Sequence, residues 1–270
     1  MNEPNASLWD ETRLEPDDCL HWRIGPLGVW VRRTETEWRV AEQRGEGEEA
    51  IAADRNVEPP ADVEWSRWAG ETGDATLRLR PVLPDRAVVV RPAQPVTLLP
   101  RGTARIYIIV PVFIRLELNT EPKPTTLADI PTVRLSNTWF GSLFEGELCY
   151  WTETAARRSA ARLPAPPHVV VTPMDVRNAA EEQLPLETVC MGTERLAVYQ
   201  GEERLWTNEL KVTNSGGGAP QRLDPGKGPP REAPDARQLS PARAEPTPGL
   251  AARAIGLVQA LPGAAQVRLG

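Results

Sequence analysis

The chain has 270 residues, of which 40% are hydrophobic, and a formal net charge of -6, so it is long enough for one large domain or two small ones. Because non-specific binding of nucleic acid depends on clustered positive charge, we expect no nucleic-acid partner for this acidic chain. The longest apolar run, residues 106–114, falls short of the roughly 20 residues that a membrane-spanning helix needs, so we expect no membrane span.

The N-terminal part of the sequence predicts a β-meander over residues 1–70. Residues 19–24 alternate apolar and polar side chains, Gly25 and Pro26 supply a turn, and two further candidate strands follow at 29–31 and 37–40. Residues 44–60 are charged and rich in turn-forming residues, and we interpret them as a solvated loop.

The central part, residues 71–214, predicts a sandwich of short strands. Valine, isoleucine and aromatic residues are enriched there, and prolines punctuate the pattern at intervals that suit strand ends and edges. The predicted strands lie at 75–83, 87–90, 96–99, 104–118, 146–151, 168–172, 184–191, 195–199 and 205–212, with a crossover segment at 127–134, one or two helical turns at 154–162 and a hairpin loop at 200–203. Short strands at this spacing predict an all-β, antiparallel β-sandwich.

The last part, residues 215–270, is rich in proline, glycine and alanine and contains no aromatic residue. Such a segment buries too little apolar surface to offset the entropy that ordering costs, so we predict a disordered tail. Residues 250–261 carry apolar residues at roughly helical spacing. They are interpreted either as a docking helix on a tether or as a frayed segment.

Several short phrases of the sequence resemble one known family. They are residues 147–151 (Glu-Leu-Cys-Tyr-Trp), the run from 184 through 196–199 to 204–207, and residues 88–99 with the strand at 106–116. These phrases resemble the prokaryotic domain-of-unknown-function family 432 over roughly residues 19–214. The family has no established activity, so the resemblance implies no site residues.

An arginine-rich set of basic residues also indicates a high-GC bacterial or archaeal source.

The residues with the greatest catalytic potential are sparse. The two histidines are His21 and His168, and His21 forms a Cys-x-His pair with Cys19 that offers two of the four ligands of a structural zinc site. Cys149 and Cys190 lie in separate apolar strands, where we expect them to act as small hydrophobic residues. The sequence therefore predicts no catalytic residue, no metal site and no cofactor.

The number and spacing of the cysteines also bear on the compartment. Three widely spaced cysteines do not make a disulfide framework. The first 16 residues lack the basic start and apolar run of a signal peptide. We therefore expect a cytoplasmic protein.

Tryptophan is the unusual feature of this composition, with nine residues in the chain. Most of them suit the core of a β-sandwich, but Trp65 and Trp68 lie in a polar stretch beside Arg67. These three residues are the predicted recognition patch.

The favoured function is a non-catalytic binding or assembly module that acts on a protein partner or on copies of itself. The alternative is a small-ligand-binding or hydrolytic enzyme with a pocket in a jelly-roll-like sandwich. A histidine that converges with carboxylates in a concave pocket would favour the enzyme. An exposed aromatic patch on a closed sandwich would favour the binding module.

Overall fold

The computed structural model describes residues 8–47, 50–70, 75–92, 96–120, 122–141, 146–152, 157–160, 163, 165–216 and 222–244. Over these residues the chain forms strands, turns and one residue of 3-10 helix, with no α-helix. In the same part of the chain, no helix is long and apolar enough to cross a membrane. The all-β class predicted from the sequence is confirmed.

The described strands form five hydrogen-bonded sheets. The strands are β1 (Glu11–Arg13), β2 (Cys19–Ile24), β3 (Leu27–Arg33), β4 (Glu37–Arg44), β5 (Ala50–Arg55), β6 (Trp65–Ala69), β7 (Thr76–Val82), β8 (Val88–Val90), β9 (Val96–Leu98), β10 (Thr103–Pro111), β11 (Phe113–Asn119), β12 (Thr125–Pro131), β13 (Ser136–Gly141), β14 (Gly146–Thr152), β15 (Val169–Asn178), β16 (Leu184–Leu186), β17 (Val189–Met191), β18 (Val198–Gln200), β19 (Leu205–Thr207), β20 (Leu210–Asn214), β21 (Arg222–Pro225) and β22 (Arg237–Ser240). The sheet orders are β1-β7-β11-β12, β21-β20-β15-β19-β18-β22 with β10 on β15, β13-β14-β8-β17, β16-β9 and β5-β2-β3-β4-β6.

The predicted N-terminal meander is present as β2, β3 and β4, which pair in sequence and antiparallel. The strict alternation of β2 directs Leu20, Trp22 and Ile24 into the main core. The predicted loop at 44–60 was wrong in one respect, because β5 lies within it and pairs with β2. Acidic residues directly precede the short apolar stretch that begins at Ala50, so the sequence pattern there indicates a charged loop instead of a strand.

The predicted strand at 104–118 is two strands that belong to different sheets. β10 pairs with β15, whereas β11 pairs with β7 and β12. Pro111 ends β10, as expected of a residue that lacks the ladder donor. The segment at 127–134, predicted as a crossover, instead falls largely in β12, which forms a hairpin with β11.

Most strand pairs are antiparallel, as predicted, but three described pairs are parallel: β14 with β8, and β15 with both β19 and β20. All five sheets contribute side chains to one contiguous hydrophobic core, with Ile24, Leu116, Val90, Met174 and Leu186 as examples. The core thus includes residues from both the 1–70 and the 71–214 segments. The division into domains at residue 70 stays a prediction.

The fold extends beyond residue 214, where we predicted that the tail begins. β21 pairs with β20, and β22 pairs with β18. Leu239 on β22 is 2% exposed and belongs to the main core. The segment is ordered because its backbone completes existing sheets, so it needs little apolar surface of its own. The predicted helix at 250–261 lies outside the described residues, as does most of the one at 154–162.

Candidate functional site

The predicted patch of Trp65, Arg67 and Trp68 lies on β6, the edge strand beside β4. Successive side chains of a strand point to opposite faces, so the two tryptophans do not form one surface. Trp68 packs against the main core, while Trp65 packs against Cys19, Trp30 and Ala41 on the other face. Both rings are half-buried, and neither is among the large exposed apolar side chains of the described chain.

Arg67 is the exposed member of the predicted patch, but it is held by a carboxylate. Its Nε and Nη2 atoms each donate a hydrogen bond of 2.9 Å to Glu37. Arg39 donates to the same carboxylate. These two guanidinium groups lower the pKa of Glu37 below its ordinary value. Recognition by this region stays a prediction.

Residues 56–64 account for the burial of the outer face of this sheet. They connect β5 at one edge to β6 at the opposite edge, so they cross β2, β3 and β4. The amide of Asn56 donates to the carbonyl of Cys19, and Val63 packs beside Trp65 on Trp30. Arg32 lies 5.4 Å from the Trp65 ring centroid. Trp65 therefore packs on the same face of the sheet as Val63, at the point where residues 56–64 lead into β6.

The two histidines have different surroundings. His21 is 6% exposed and stacks on Trp30 with a centroid separation of 4.4 Å. Burial lowers its pKa, so the ring favours the neutral form. His168 directly precedes β15, and its ring packs closely against Gly25. Any side chain at position 25 would collide with the ring.

One cavity lies beside residues 200–203, which the sequence predicts as a hairpin loop. It has a volume of about 630 Å³ and is lined by the loop, by Trp206 and by residues 232–236. A second cavity of about 460 Å³ lies beside Phe113 and Tyr150. Neither lining includes a histidine, so the convergence that would favour the enzyme alternative is not found at these two places.

Cys149 and Cys190, which the sequence places in separate apolar strands, lie side by side. Cys149 is on β14 and Cys190 is on β17, and both strands flank β8. The two Sγ atoms are 3.8 Å apart, and both residues are fully buried. The Oε1 atom of Glu147 lies 3.9 Å from the Cys190 sulfur. The hydrogen bond between the thiols lowers the pKa of Cys149, while that bond and burial raise the pKa of Cys190.

No local pattern in the sequence indicates this pair, because the two cysteines are 41 positions apart and come together only through the order of β14, β8 and β17. Glu147 lies two residues before Cys149 on β14. Its side chain contacts the Cys190 thiol, and its carbonyl oxygen contacts the Cys149 thiol.

The hairpin of β13 and β14 carries the most prominent exposed apolar pair in the described chain. Trp139 and Leu148 are directly opposite one another, and they are 53% and 47% exposed. The indole lies across Gly146, where a Cβ atom would come within 2.5 Å of the Trp139 Nε1 atom. Glycine at that position therefore lets the ring lie flat on the hairpin.

The chain is thus a β protein with five sheets on a shared core, an exposed aromatic edge hairpin and a buried thiol pair. Residues 8–258 match DUF432, a family described as proteins of unknown function, and the chain belongs to this family. The predicted resemblance is confirmed, and the match continues past residue 214. No curated protein and no solved structure matches the chain.

Proposed function

We propose that this protein is a non-catalytic assembly module that self-associates through strand β13. The observation that carries the proposal is an uncharged six-residue edge strand with a half-exposed tryptophan at its centre. The occupant of the edge is a second copy of the chain, which pairs antiparallel across a two-fold axis.

Strand β13 lacks the features by which proteins protect sheet edges. Lysine, arginine, proline and very short length discourage pairing between edges. Strands β1, β5, β6, β10, β12, β21 and β22 all carry a charged residue, and β9, β16 and β17 have only three residues. β13 has the sequence Ser-Asn-Thr-Trp-Phe-Gly and is mostly exposed. Among the described edge strands, its composition is therefore the most permissive for pairing.

The side chains on the hairpin favour a symmetric partner. A two-fold axis perpendicular to the sheet places equivalent residues of both copies on the same face. Trp139 and Leu148 of each copy then form one continuous apolar patch of four side chains. Tryptophan is the residue most enriched at the energetic centres of interfaces.

Trp139→Lys is expected to convert the protein from a dimer to a monomer at micromolar concentration. The substitution removes the central apolar contact and adds a charge that its symmetry mate in the second copy would repel. Light scattering on a size-exclusion column measures the mass of the full-length protein and of the variant.

Leu99→Lys is the matched control, because Leu99 is 64% exposed and lies outside the hairpin. It is expected to keep the oligomeric state of the parent protein. A parent protein that is monomeric at high concentration, or a Trp139→Lys variant that stays dimeric, rejects the proposal. A change with Leu99→Lys equal to that with Trp139→Lys shows non-specific association and also rejects it.

A further inference from the structure

The thiols of Cys149 and Cys190 and the carboxylate of Glu147 converge on one face of the sheet β13-β14-β8-β17. Their ligand atoms all lie within 4.8 Å of one another. We propose that these three residues, the Cys-Glu site, bind one Zn²⁺ ion through two thiolates and one carboxylate. The proposal is independent of self-association, because the site needs residues of one chain only.

The separation of the sulfur atoms matches the geometry of tetrahedral zinc. Zn–S bonds are about 2.3 Å long, so two of them at the tetrahedral angle place the sulfurs about 3.8 Å apart. The Sγ atoms of Cys149 and Cys190 are 3.8 Å apart. The thiols therefore need little rearrangement to hold the ion.

The carboxylate completes a set of three ligands. A tetrahedral S–Zn–O pair separates sulfur and oxygen by about 3.6 Å. The Oε1 atom of Glu147 is 3.9 Å from the Cys190 sulfur, and Glu147 is exposed. A small rotation of this side chain closes the difference. Three protein ligands leave one position of the tetrahedron for water.

The surroundings favour a soft, partly dehydrated ion over a free thiol pair. Val89 belongs to the same buried cluster as both cysteines, and Phe140 and Trp151 pack against this cluster. An apolar shell lowers the local dielectric and strengthens the attraction between a divalent cation and anionic ligands. Thiolate ligands select zinc over magnesium or calcium, which prefer oxygen.

A disulfide between Cys149 and Cys190 is disfavoured by the topology. β8 lies between β14 and β17, and neighbouring strands are about 4.8 Å apart, so the two cysteine-bearing strands are separated by roughly 9–10 Å. A disulfide needs Cα atoms within about 7 Å of one another. An ion between the sulfurs spans the extra distance without movement of the strands.

The test uses the full-length protein, reduced and freed of metal, with Zn²⁺ alone as the probe. We expect calorimetry to show one equivalent bound and the unfolding temperature to rise by roughly 5–10 °C at a hundredfold excess over Kd. With Co²⁺ in place of zinc, a thiolate-to-cobalt charge-transfer band in the near ultraviolet should report sulfur ligation in the unmodified chain.

Variants assign the ligands. Cys149→Ser and Cys190→Ser should each lose at least about 100-fold in zinc affinity, because even second-shell changes cost 10–100-fold. Glu147→Gln, at an exposed position that leaves folding unaffected, should lose about tenfold or more. Cys19→Ser and Glu181→Gln are the matched controls on other sheets or loops and should bind like the parent protein.

Three outcomes overturn the inference. They are a folded parent protein that takes up no Zn²⁺, zinc binding that is unchanged in Glu147→Gln and in both cysteine variants, and a Cys149–Cys190 disulfide in protein purified without reductant and examined by mass spectrometry. The self-association assay is read separately, so failure of one proposal leaves the other to its own test.

Discussion

Truncation after residue 214 is expected to destabilise the protein by at least about 5 kcal/mol, whereas truncation after residue 244 is expected to leave its stability nearly unchanged. The shorter fragment loses β21 and β22, although it keeps the whole sandwich that the sequence predicts. A loss of this size is comparable with the entire stability of many domains.

Two kinds of contact make up the expected loss. Burial of Leu239, at 2% exposure, is worth about 1.5–3 kcal/mol. Loss of Glu232 removes the shortest of the three ion pairs of Arg105, whose side chain is 12% exposed. Because Asp175 and Glu209 remain, the loss is that of a hydrogen bond to a charged group, which is worth about 1.5–3 kcal/mol. Arg243 also bonds to the Leu83 carbonyl and to Asp129.

Urea unfolding of the full-length protein and of the 1–214 and 1–244 fragments measures the effect. The 1–244 fragment keeps the contacts made by residues 222–244, so it is the matched control. A 1–214 fragment that unfolds at the same urea concentration as the 1–244 fragment would show that β21 and β22 are passive additions to the sheet.

The predicted end of the fold at residue 214 lies before the observed one for a physical reason. The prediction of a disordered tail rested on low apolar content, and residues 222–244 contain too few apolar residues to form a core of their own. They are held by pairing with β18 and β20 and by charged contacts to residues more than 70 positions earlier. Backbone pairing to a sheet edge leaves no periodic signal in the sequence, so local reasoning misses it.

Alternation predicted the positions of β2 and β7 well, because each strand directs alternate residues into the shared core. It did not predict which residues meet across strands. Trp65 and Trp68 are three positions apart, and the period of two in a strand sends them to opposite faces. Cys149 and Cys190 meet because β8 lies between their strands, and that order of strands is a property of the topology.

Replacement of Arg105 by methionine is expected to destabilise the protein by about 3–5 kcal/mol at neutral pH. Arg105 bonds to Asp175, Glu209 and Glu232 at 2.8, 3.0 and 2.7 Å. Tyr107 donates to Glu232 at 2.7 Å. Without the guanidinium, three carboxylates that are 35%, 23% and 15% exposed face one another. Like charges and partial burial then oppose folding.

The pH dependence gives this prediction a second readout. Burial opposes ionisation of Glu232, but hydrogen bonds from Arg105 and Tyr107 outweigh it and hold its pKa below the ordinary value. In the parent protein, this contribution is present above the unfolded pKa of about 4.3 and is lost as pH falls through the lower folded pKa. In Arg105→Met the folded pKa of Glu232 is expected to rise above the unfolded one. Acidification toward pH 4.5 then protonates this carboxylate and raises the free energy of unfolding of the variant.

The difference in unfolding free energy between the parent protein and Arg105→Met should therefore shrink from pH 7.5 to pH 4.5, as measured by urea unfolding at both values. Arg101→Met is the control, because the Arg101–Glu181 pair is 76% and 74% exposed and such pairs contribute about 1 kcal/mol or less. Arg231 lies 3.7 Å from Asp175, but it is 63% exposed and too well solvated to replace Arg105. If the two methionine variants are equally stable at pH 7.5, the carboxylate cluster does not depend on Arg105, and residues 222–244 are held by strand pairing and Leu239 instead.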